Sequence, residues 1–305
     1  MAGGEMILHH YDTSPFSEKP RLLFGLHGLA WRSVIQPNIM PKPDLTPLTG
    51  GYRRAPVMQI GADIFCDSQV IMAEINRQAG AAPEQGAVWA VNFWADRLFF
   101  QATVPVIFGE LGDAVPKAFI EDRQKLSGQR FDIAAMKGAG VIMRGQWRAH
   151  AAWIDQGLAK TPFLAGDKPG LADIAAYMNV WFLRGALPQM ADDLMHGLDR
   201  LKDWRPRVAA IGHGTRSEMT TGEALAAART GEPAITVPHD ASDPTGLQPG
   251  AAVAVAADDY GRDPIAGALV ALNAERVVID RSDPQLGRLR VHFPRAGYVV
   301  TAGAA

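Results

Sequence analysis

Short apolar runs and turn residues alternate over the first 80 residues or so of this chain. Residues 6–8 and 33–35 are runs that predict strands, and the amphipathic segment between them predicts a helix that ends near Gly28. Residues 56–66 predict a hairpin, and apolar positions at helical spacing predict a helix over residues 68–78. This first region is therefore expected to be a small α/β unit, in the order β-α-β and then β-β-α.

The pattern changes twice further along the chain. Residues 86–229 show helical periodicity throughout, with the longest helical segments predicted at 87–111, 133–160 and 171–187. After Gly231 the pattern becomes short strand-like runs punctuated by Gly, Pro and Asp, which is typical of a small β-barrel or sheet. The sequence thus predicts three domains, which we place at 1–82, 86–229 and 232–305.

Composition and charge narrow the class of protein. With 48% hydrophobic and 20% charged residues among 305, the chain can form packed cores. Its formal net charge of −2, with both signs interspersed, argues against nucleic acid or an anionic membrane as partner. No apolar run approaches the roughly 20 residues that span a bilayer, and the first residues lack the pattern of a signal peptide. A single cysteine, Cys66, fits a reducing compartment, so we expect a cytoplasmic location.

Two residue types that often carry chemistry are assigned structural roles. His9 and His10 end the first predicted strand, where neighbouring side chains point to opposite faces, so no metal site is expected. Cys66 lies in an apolar strand beside Asp67, which raises the pKa of a thiol. We therefore expect a buried structural cysteine and not a nucleophile.

Ser14 precedes Pro15 at the start of the first predicted helix. A serine is a normal N-cap and proline suits the first helical position, so structure alone explains both residues. The free backbone N–H groups at this place also favour an anion, and the hydroxyl can donate a hydrogen bond to a bound thiolate. Each unit by which a thiol pKa falls represents about 1.4 kcal/mol of preference for the thiolate. The local pattern leaves both interpretations open.

Two later segments carry groups suited to a peptide-like ligand. A cis Ala55-Pro56 bond would turn the N–H and C=O of Val57 toward a ligand, although a trans proline that opens a strand is the ordinary case. The Asp67-Ser68 pair caps the next predicted helix and has spare capacity, Asp67 for an ammonium group and Ser68 for a carboxylate. Arg54 could reach a second carboxylate, and a solvated surface position is the alternative.

The chain resembles the cytosolic glutathione S-transferases, because these motifs occur in the order and spacing of that family's N-terminal domain. The resemblance implies an α/β thioredoxin-like N-terminal domain plus an all-α helical domain, and it leaves the predicted small all-β C-terminal domain outside the family's two domains. It also implies that Ser14 is the catalytic residue of a serine-type active site. The residues it implies for glutathione binding are Ser14, Phe16, Arg54, Pro56, Val57, Asp67 and Ser68. Among these, Val57 would be the backbone anchor, and Asp67 and Ser68 would clamp the γ-glutamyl group.

The helical region adds to the resemblance, which covers about 215 residues. Residues 163–167 and 171–174 look like the buried capping motif of the family, and the segment around Trp204 looks like its late tryptophan-containing helix. Two departures stand out. Gly170 replaces the usual capping Ser or Thr, and the proline-rich loop over residues 38–49 predicts a second helix that is short or absent.

The function implied is that of a glutathione transferase, with glutathione as co-substrate and no metal. Ser14 would stabilise the thiolate, which attacks a small electrophile held between the first two domains; isomerisation or dehalogenation with glutathione is equally open. The family also implies a homodimer. The alternative hypothesis is a non-catalytic scaffold of the same fold, whose C-terminal β domain recognises a ligand or partner.

Overall fold

The computed structural model describes residues 4–84 and 86–303 of the chain. Its ten strands are β1 Ile7–His10, β2 Ala30–Ile35, β3 Val57–Ile60, β4 Asp63–Cys66, β5 Thr215–Glu218, β6 Ala252–Ala257, β7 Ile265–Leu272, β8 Arg276–Asp283, β9 Gly287–Pro294 and β10 Tyr298–Ala302. Within the described ranges they form one sheet, in the order β10-β6-β7-β8-β9-β4-β3-β1-β2-β5.

The first region has the predicted thioredoxin-like arrangement. Strand β1 pairs in parallel with β2 and antiparallel with β3, and β3 pairs antiparallel with β4. The helices of this region are α1 Pro15–Leu26, α2 Thr46–Thr49 and α3 Ser68–Gln78. The short α2 confirms the expectation drawn from the proline-rich loop, and α3 has the predicted bounds.

The second region is helical, as predicted. Its helices, with the one that follows β5, are α4 Gly86–Trp94, α5 Phe100–Leu111, α6 Lys117–Ser127, α7 Ile133–Gly157, α8 Leu171–Ala186, α9 Pro188–Leu194, α10 Asp199–Ala209 and α11 Thr221–Thr230. A turn of π-helix, Ala95–Phe99, joins α4 to α5. Helix α8 packs against α1, α4 and α10, and most of its residues are buried, so it connects the helical region to the first one. None of the helices in the described ranges combines the length and apolarity that crossing a bilayer requires.

The capping motif before α8 is built around a buried carboxylate. Asp173 accepts hydrogen bonds from the backbone N–H groups of Leu164 (2.7 Å), Ala165 (3.1 Å) and Gly170 (3.1 Å), and from the indole N–H of Trp204 (2.7 Å). Four donors on one buried acid fasten the preceding loop, α8 and α10 together. A glycine can stand at the N-cap because Asp173 itself satisfies the N–H of Gly170.

The C-terminal strands extend the sheet of the first region, and they also curve toward one another. Strand β9 pairs in parallel with β4, through Ile64↔Val291 and its neighbours. The set β10-β6-β7-β8-β9 is antiparallel, and its two outermost strands are joined by only three residues, 295–297. A link of that length spans on the order of 14 Å, so β9 and β10 approach each other and the set is barrel-like. The predicted β-strand region is thus present and continuous with the first region; the division of the chain at 82/86 and 229/232 stays a prediction.

The pairing also decides which loops meet. Because β1 and β4 both run antiparallel to β3, with His9↔Val57 and Val57↔Cys66 in register, the end of β1, the start of β3 and the end of β4 lie at one edge. Strand β9 ends at the same edge, since it is parallel to β4. The short link then brings Tyr298 there, and its pairing with Ala257 brings the loop after β6.

Candidate active site

All three segments that the sequence marks as a site lie at this edge of the sheet. Ser14 follows β1, Arg54 to Pro56 precede β3, and Asp67 and Ser68 follow β4. Their proximity follows from strand register and not from sequence distance. The same edge receives Tyr298 and the loop over residues 258–264 from the C-terminal strands.

Ser14 is the N-cap of α1, as predicted. Its backbone is extended (φ −77°, ψ 119°), and its Oγ accepts a hydrogen bond from the N–H of Ser17 at 3.2 Å. Because this oxygen acts as acceptor, the hydroxyl proton is free to be donated to another group. Ser14 is only 1% exposed, whereas its neighbour Thr13 is exposed.

The loop that carries Ser14 is held by a buried arginine. The Arg21 guanidinium donates to the carbonyl oxygens of Tyr11 (3.3 Å) and Asp12 (3.0 Å) and forms an ion pair with Glu18 at 2.7 Å. Burial, assisted by the positive charge of Arg21, lowers the pKa of His10 to about 3. The neutral imidazole therefore accepts from Arg21 at 3.1 Å, and the loop is fixed from the side of the core.

The Ala55-Pro56 peptide bond is cis, the first of the two alternatives drawn from the sequence. Val57 itself lies in β3, is paired with both β1 and β4, and is fully buried. Ala55 precedes the strand and is half-buried, and its N–H and C=O make no backbone–backbone hydrogen bond with the described residues. The geometry thus favours Ala55 over Val57 as a backbone anchor for a ligand.

Asp67 and Ser68 begin α3. Asp67 has a positive φ of 97°, which a residue with a side chain adopts at a cost of about 1–3 kcal/mol, and such residues cluster at functional sites. Its Oδ1 accepts from the N–H of Gln69 at 2.9 Å, and its Oδ2 accepts from the hydroxyl of Tyr298 at 3.1 Å. The Ser68 hydroxyl makes no hydrogen bond with any described residue and is therefore free for a ligand.

The Arg54 side chain is mostly buried and already has partners. Its guanidinium forms an ion pair with Asp259 and lies 4.1 Å from the centre of the Tyr260 ring. Both partners belong to the loop after β6. In this structure Arg54 therefore binds the C-terminal strand region, and its contact with a carboxylate of glutathione stays a prediction.

Phe16 lies beside a buried ion pair. Its ring meets that of Phe100 edge to face, at 4.8 Å between centroids. One turn further along α1, the ammonium of Lys19 binds Asp96 at 2.6 Å and Asn92 at 2.9 Å, with Lys19 fully buried. Burial raises the pKa of Asp96 to about 6, although Lys19 acts in the opposite direction. The π-helical turn places Asp96 at this point, facing α1.

Two cavities flank α1. The larger, about 330 Å³, lies between the loop before α1 and the helical region. Its wall is mainly apolar and aromatic, formed by residues that include Pro15, Ile107, Phe108, Leu111, Phe119 and Phe182. Tyr11, Thr13 and Asn38 add polar groups. The smaller cavity, about 30 Å³, is polar and is bounded by Phe16, Arg54, Asp67, Asp96, Tyr260 and Tyr298, among others.

Cys66 has the structural role expected for it. It is fully buried in β4, and burial, together with the charge of Asp67, raises the pKa of its thiol. His9 and His10 bind Gln59 and Ser33, on opposite sides of β1. Among the described residues no cluster of three or more metal-ligating side chains occurs.

Comparison with known proteins identifies the family. Sequence models of the N-terminal and C-terminal domains of glutathione S-transferase match residues 8–83 and 92–205. A GST-like protein from Pseudomonas syringae has a crystal structure that matches 98% of this chain and 100% of its own, with 34% identity and a TM-score of 0.81. This chain belongs to the glutathione S-transferase family. No curated protein matches its sequence.

More distant structures share the glutathione S-transferase fold over two thirds of the chain. A glutathione S-transferase domain-containing protein from Marinobacter aquaeolei is 21% identical over 67% of this chain and 97% of its own, with a TM-score of 0.51. A glutathione S-transferase from Rhodospirillum rubrum is 19% identical over 67% of this chain and 88% of its own, with a TM-score of 0.52. The C-terminal strands are thus shared with the Pseudomonas syringae protein, which matches almost the whole chain.

Sequence reasoning missed the site residues that come from distant segments. Asp259, Tyr260 and Tyr298 lie in the C-terminal region, for which the sequence predicts only short strand-like runs separated by turn residues. No local pattern marks them, because their role depends on the pairing of β9 with β4 and of β10 with β6. Thr13 and Ala55 had a weak signal, since each adjoins a predicted site residue.

Proposed function

We propose that this member of the glutathione S-transferase family is a catalytic glutathione transferase of the serine type. The supporting observation is the convergence of the Ser14 hydroxyl, the backbone of Ala55 and the free hydroxyl of Ser68 at one edge of the sheet, next to an apolar cavity. In this proposal Ser68 and Asp67 bind the γ-glutamyl group, and Ala55 takes the backbone role first given to Val57. Phe16 and Pro56 line the bound tripeptide.

Ser14 has the chemistry to stabilise a thiolate. Its oxygen accepts from Ser17, so its proton is available to the ligand's sulfur, and α1 presents the positive end of its dipole at the same point. The thiol proton leaves to solvent. A hydrogen bond to a charged group is worth about 1.5–3 kcal/mol, which lowers the pKa of the thiol by about one to two units.

The larger cavity suits a small aromatic or apolar electrophile. Its wall carries several phenylalanine rings, and it begins at Thr13 and Pro15, on either side of Ser14. In the proposed step the sulfur electron pair forms a bond to an electrophilic carbon, and the leaving group departs with the electrons of the bond that breaks. A halide on an activated aromatic ring is one such leaving group.

The test compares two neighbouring hydroxyl groups. Ser14→Ala should lower kcat/KM for glutathione with an activated aryl halide by about 10- to 100-fold, because one charge-assisted hydrogen bond is lost. Thr13→Ala, which removes the neighbouring hydroxyl from the wall of the larger cavity, should lower it less than Ser14→Ala does. Ser282→Ala is the control, because this hydroxyl is exposed on β8 outside both cavities, and it should change kcat/KM by less than about twofold. A tenfold loss in Thr13→Ala with normal activity in Ser14→Ala would show that the sulfur lies on the cavity side of the loop and that Ser14 is only a cap.

The second candidate is a non-catalytic scaffold, and one observation favours it. Asp67 and Arg54, both predicted to bind glutathione, already bind residues of the C-terminal strand region. For a scaffold, the wild-type protein would show no glutathione-dependent turnover and no rise in melting temperature with millimolar glutathione.

The proposal includes a homodimer in the cytoplasm. Val141 and Ile142 on α7 are 78% and 66% exposed, which supports a partner on this helix. The single buried thiol is compatible with a reducing compartment.

A further inference from the structure

Three side chains of the C-terminal strand region cover the amino-acid end of the proposed glutathione site. Tyr298 donates its hydroxyl to Asp67, Asp259 pairs with Arg54, and the ring of Tyr260 lies over the Arg54 guanidinium. We call Asp259, Tyr260 and Tyr298 the cover.

The cover leaves too little room for the γ-glutamyl group. The cavity beneath it is about 30 Å³, which is space for about two water molecules. An ammonium group, its α-carbon and a carboxylate together are larger than the space enclosed between Asp67 and the cover. Both carboxylate oxygens of Asp67 and the guanidinium of Arg54 also have partners already, so an incoming ligand must displace hydrogen bonds as well as side chains.

The part of the cover that must move is a loop without strand pairing. Asp259 and Tyr260 lie between the end of β6 and the start of β7, in a loop whose residues 259–261 are half-buried and whose residues 258 and 262–264 are exposed. A few bonds hold it closed. Arg97 pairs with Asp258 at 2.5 Å, and the N–H of Gly261 donates to the carbonyl of Leu126 at 2.7 Å. The loop can therefore open without breaking the sheet.

We propose that the cover is a gate, closed in this structure, which opens when the γ-glutamyl group of glutathione binds Asp67 and Ser68. This inference rests on the proposed function. The closed and open states are in equilibrium, and glutathione binds the open one, so its apparent affinity is the intrinsic affinity reduced by the open fraction. Weakening the closed state must then tighten binding.

The decisive variant is Asp259→Asn, which keeps the shape of the side chain and weakens its pairing with Arg54. We expect the dissociation constant for glutathione, measured by titration calorimetry on the full chain, to fall about tenfold. Tyr298→Phe removes the hydrogen bond to Asp67 and should lower the constant about two- to fivefold.

Asp263→Asn is the matched control, because Asp263 is exposed in the same loop and makes no side-chain hydrogen bond or ion pair with the described residues. It should bind like the wild type.

Hydrogen exchange gives an independent measurement. Saturating glutathione should speed backbone exchange over residues 258–264, because the loop is displaced from Arg54 and Leu126. Slower exchange there on binding would contradict the gate.

The outcomes separate the two proposals. Equal affinity in wild type, Asp259→Asn and Asp263→Asn overturns the gate alone. Weaker binding in Asp259→Asn also overturns it and makes Asp259 a ligand-binding residue. If none of the proteins binds millimolar glutathione, the proposed function fails, and the gate fails with it.

Discussion

Several residues of this protein have a structural role and a proposed functional role at once. Ser14 caps α1 and leaves its hydroxyl proton free, and Asp67 caps α3 with a positive φ. In both cases the cap fixes the side chain, so that a ligand meets a group already in position. The capping role follows from sequence, whereas the direction of the unused proton or lone pair follows only from the fold.

The burial of His9 makes the stability of the protein depend on pH. Its imidazole binds Gln59 at 2.9 Å and Gln36 at 3.2 Å, and burial lowers its pKa from 6.5 to about 4, although the bond to Gln59 opposes the shift. Between pH 4 and pH 6.5, the His9 side chain therefore binds more protons in the unfolded chain than in the folded one. The stability that His9 contributes is therefore complete above pH 6.5 and is lost as the pH falls toward 4.

We predict that His9→Gln flattens this pH dependence. The slope of the free energy of unfolding against pH, measured by urea denaturation between pH 4.5 and 6.5, should decrease by about 1.4 kcal/mol per pH unit. His196→Gln is the control, since His196 is exposed. The same slope in His9→Gln as in wild type would show that His9 titrates normally in the folded protein.

At the scale of elements, one buried acid decides how the helical region is joined. The four N–H donors on Asp173 come from the loop before α8, from the start of α8 and from α10. The apolar faces of α8 and α10 can be predicted from sequence, and Asp173 then fixes the start of α8 against α10 and the preceding loop. The capping motif could be recognised in the sequence, and its geometry confirms it.

Asp173→Asn should destabilise the protein by about 2–4 kcal/mol. An amide has to present an N–H to a site where all four partners are donors, so at least one buried bond is lost and a charge-assisted set becomes neutral. Urea denaturation measures the loss. Asp167→Asn, exposed in the same loop and without a side-chain partner among the described residues, should change stability by less than about 0.5 kcal/mol. Similar effects of the two variants would contradict this role.

At the scale of the whole molecule, the pairing of β4 with β9 joins the C-terminal strands to the first region. The buried carboxylate of Asp63 strengthens the joint, because it accepts from His292 at 2.8 Å and from the N–H groups of Ala234 and Ile235 at 2.8 and 3.1 Å. The parts of this sheet are therefore expected to unfold together.

We predict a single unfolding transition. All seven tryptophans lie between residues 31 and 204, so their fluorescence reports the first two regions. Hydrogen exchange of peptides from residues 276–294 reports the C-terminal strands. The two urea midpoints should coincide. An earlier midpoint for residues 276–294 would show that these strands unfold independently.

The sequence by itself determined the elements and the family, because strand and helix periodicities, caps and turn residues are local properties. It also located Ser14, Asp67 and Ser68, since an N-cap is visible in a few residues. Only the tertiary structure decided that Tyr298 and Asp259 reach Asp67 and Arg54, and that Ala55 rather than Val57 has free backbone groups. The reason is physical: these contacts depend on which strands pair and in which register, and residues more than 200 positions apart meet there.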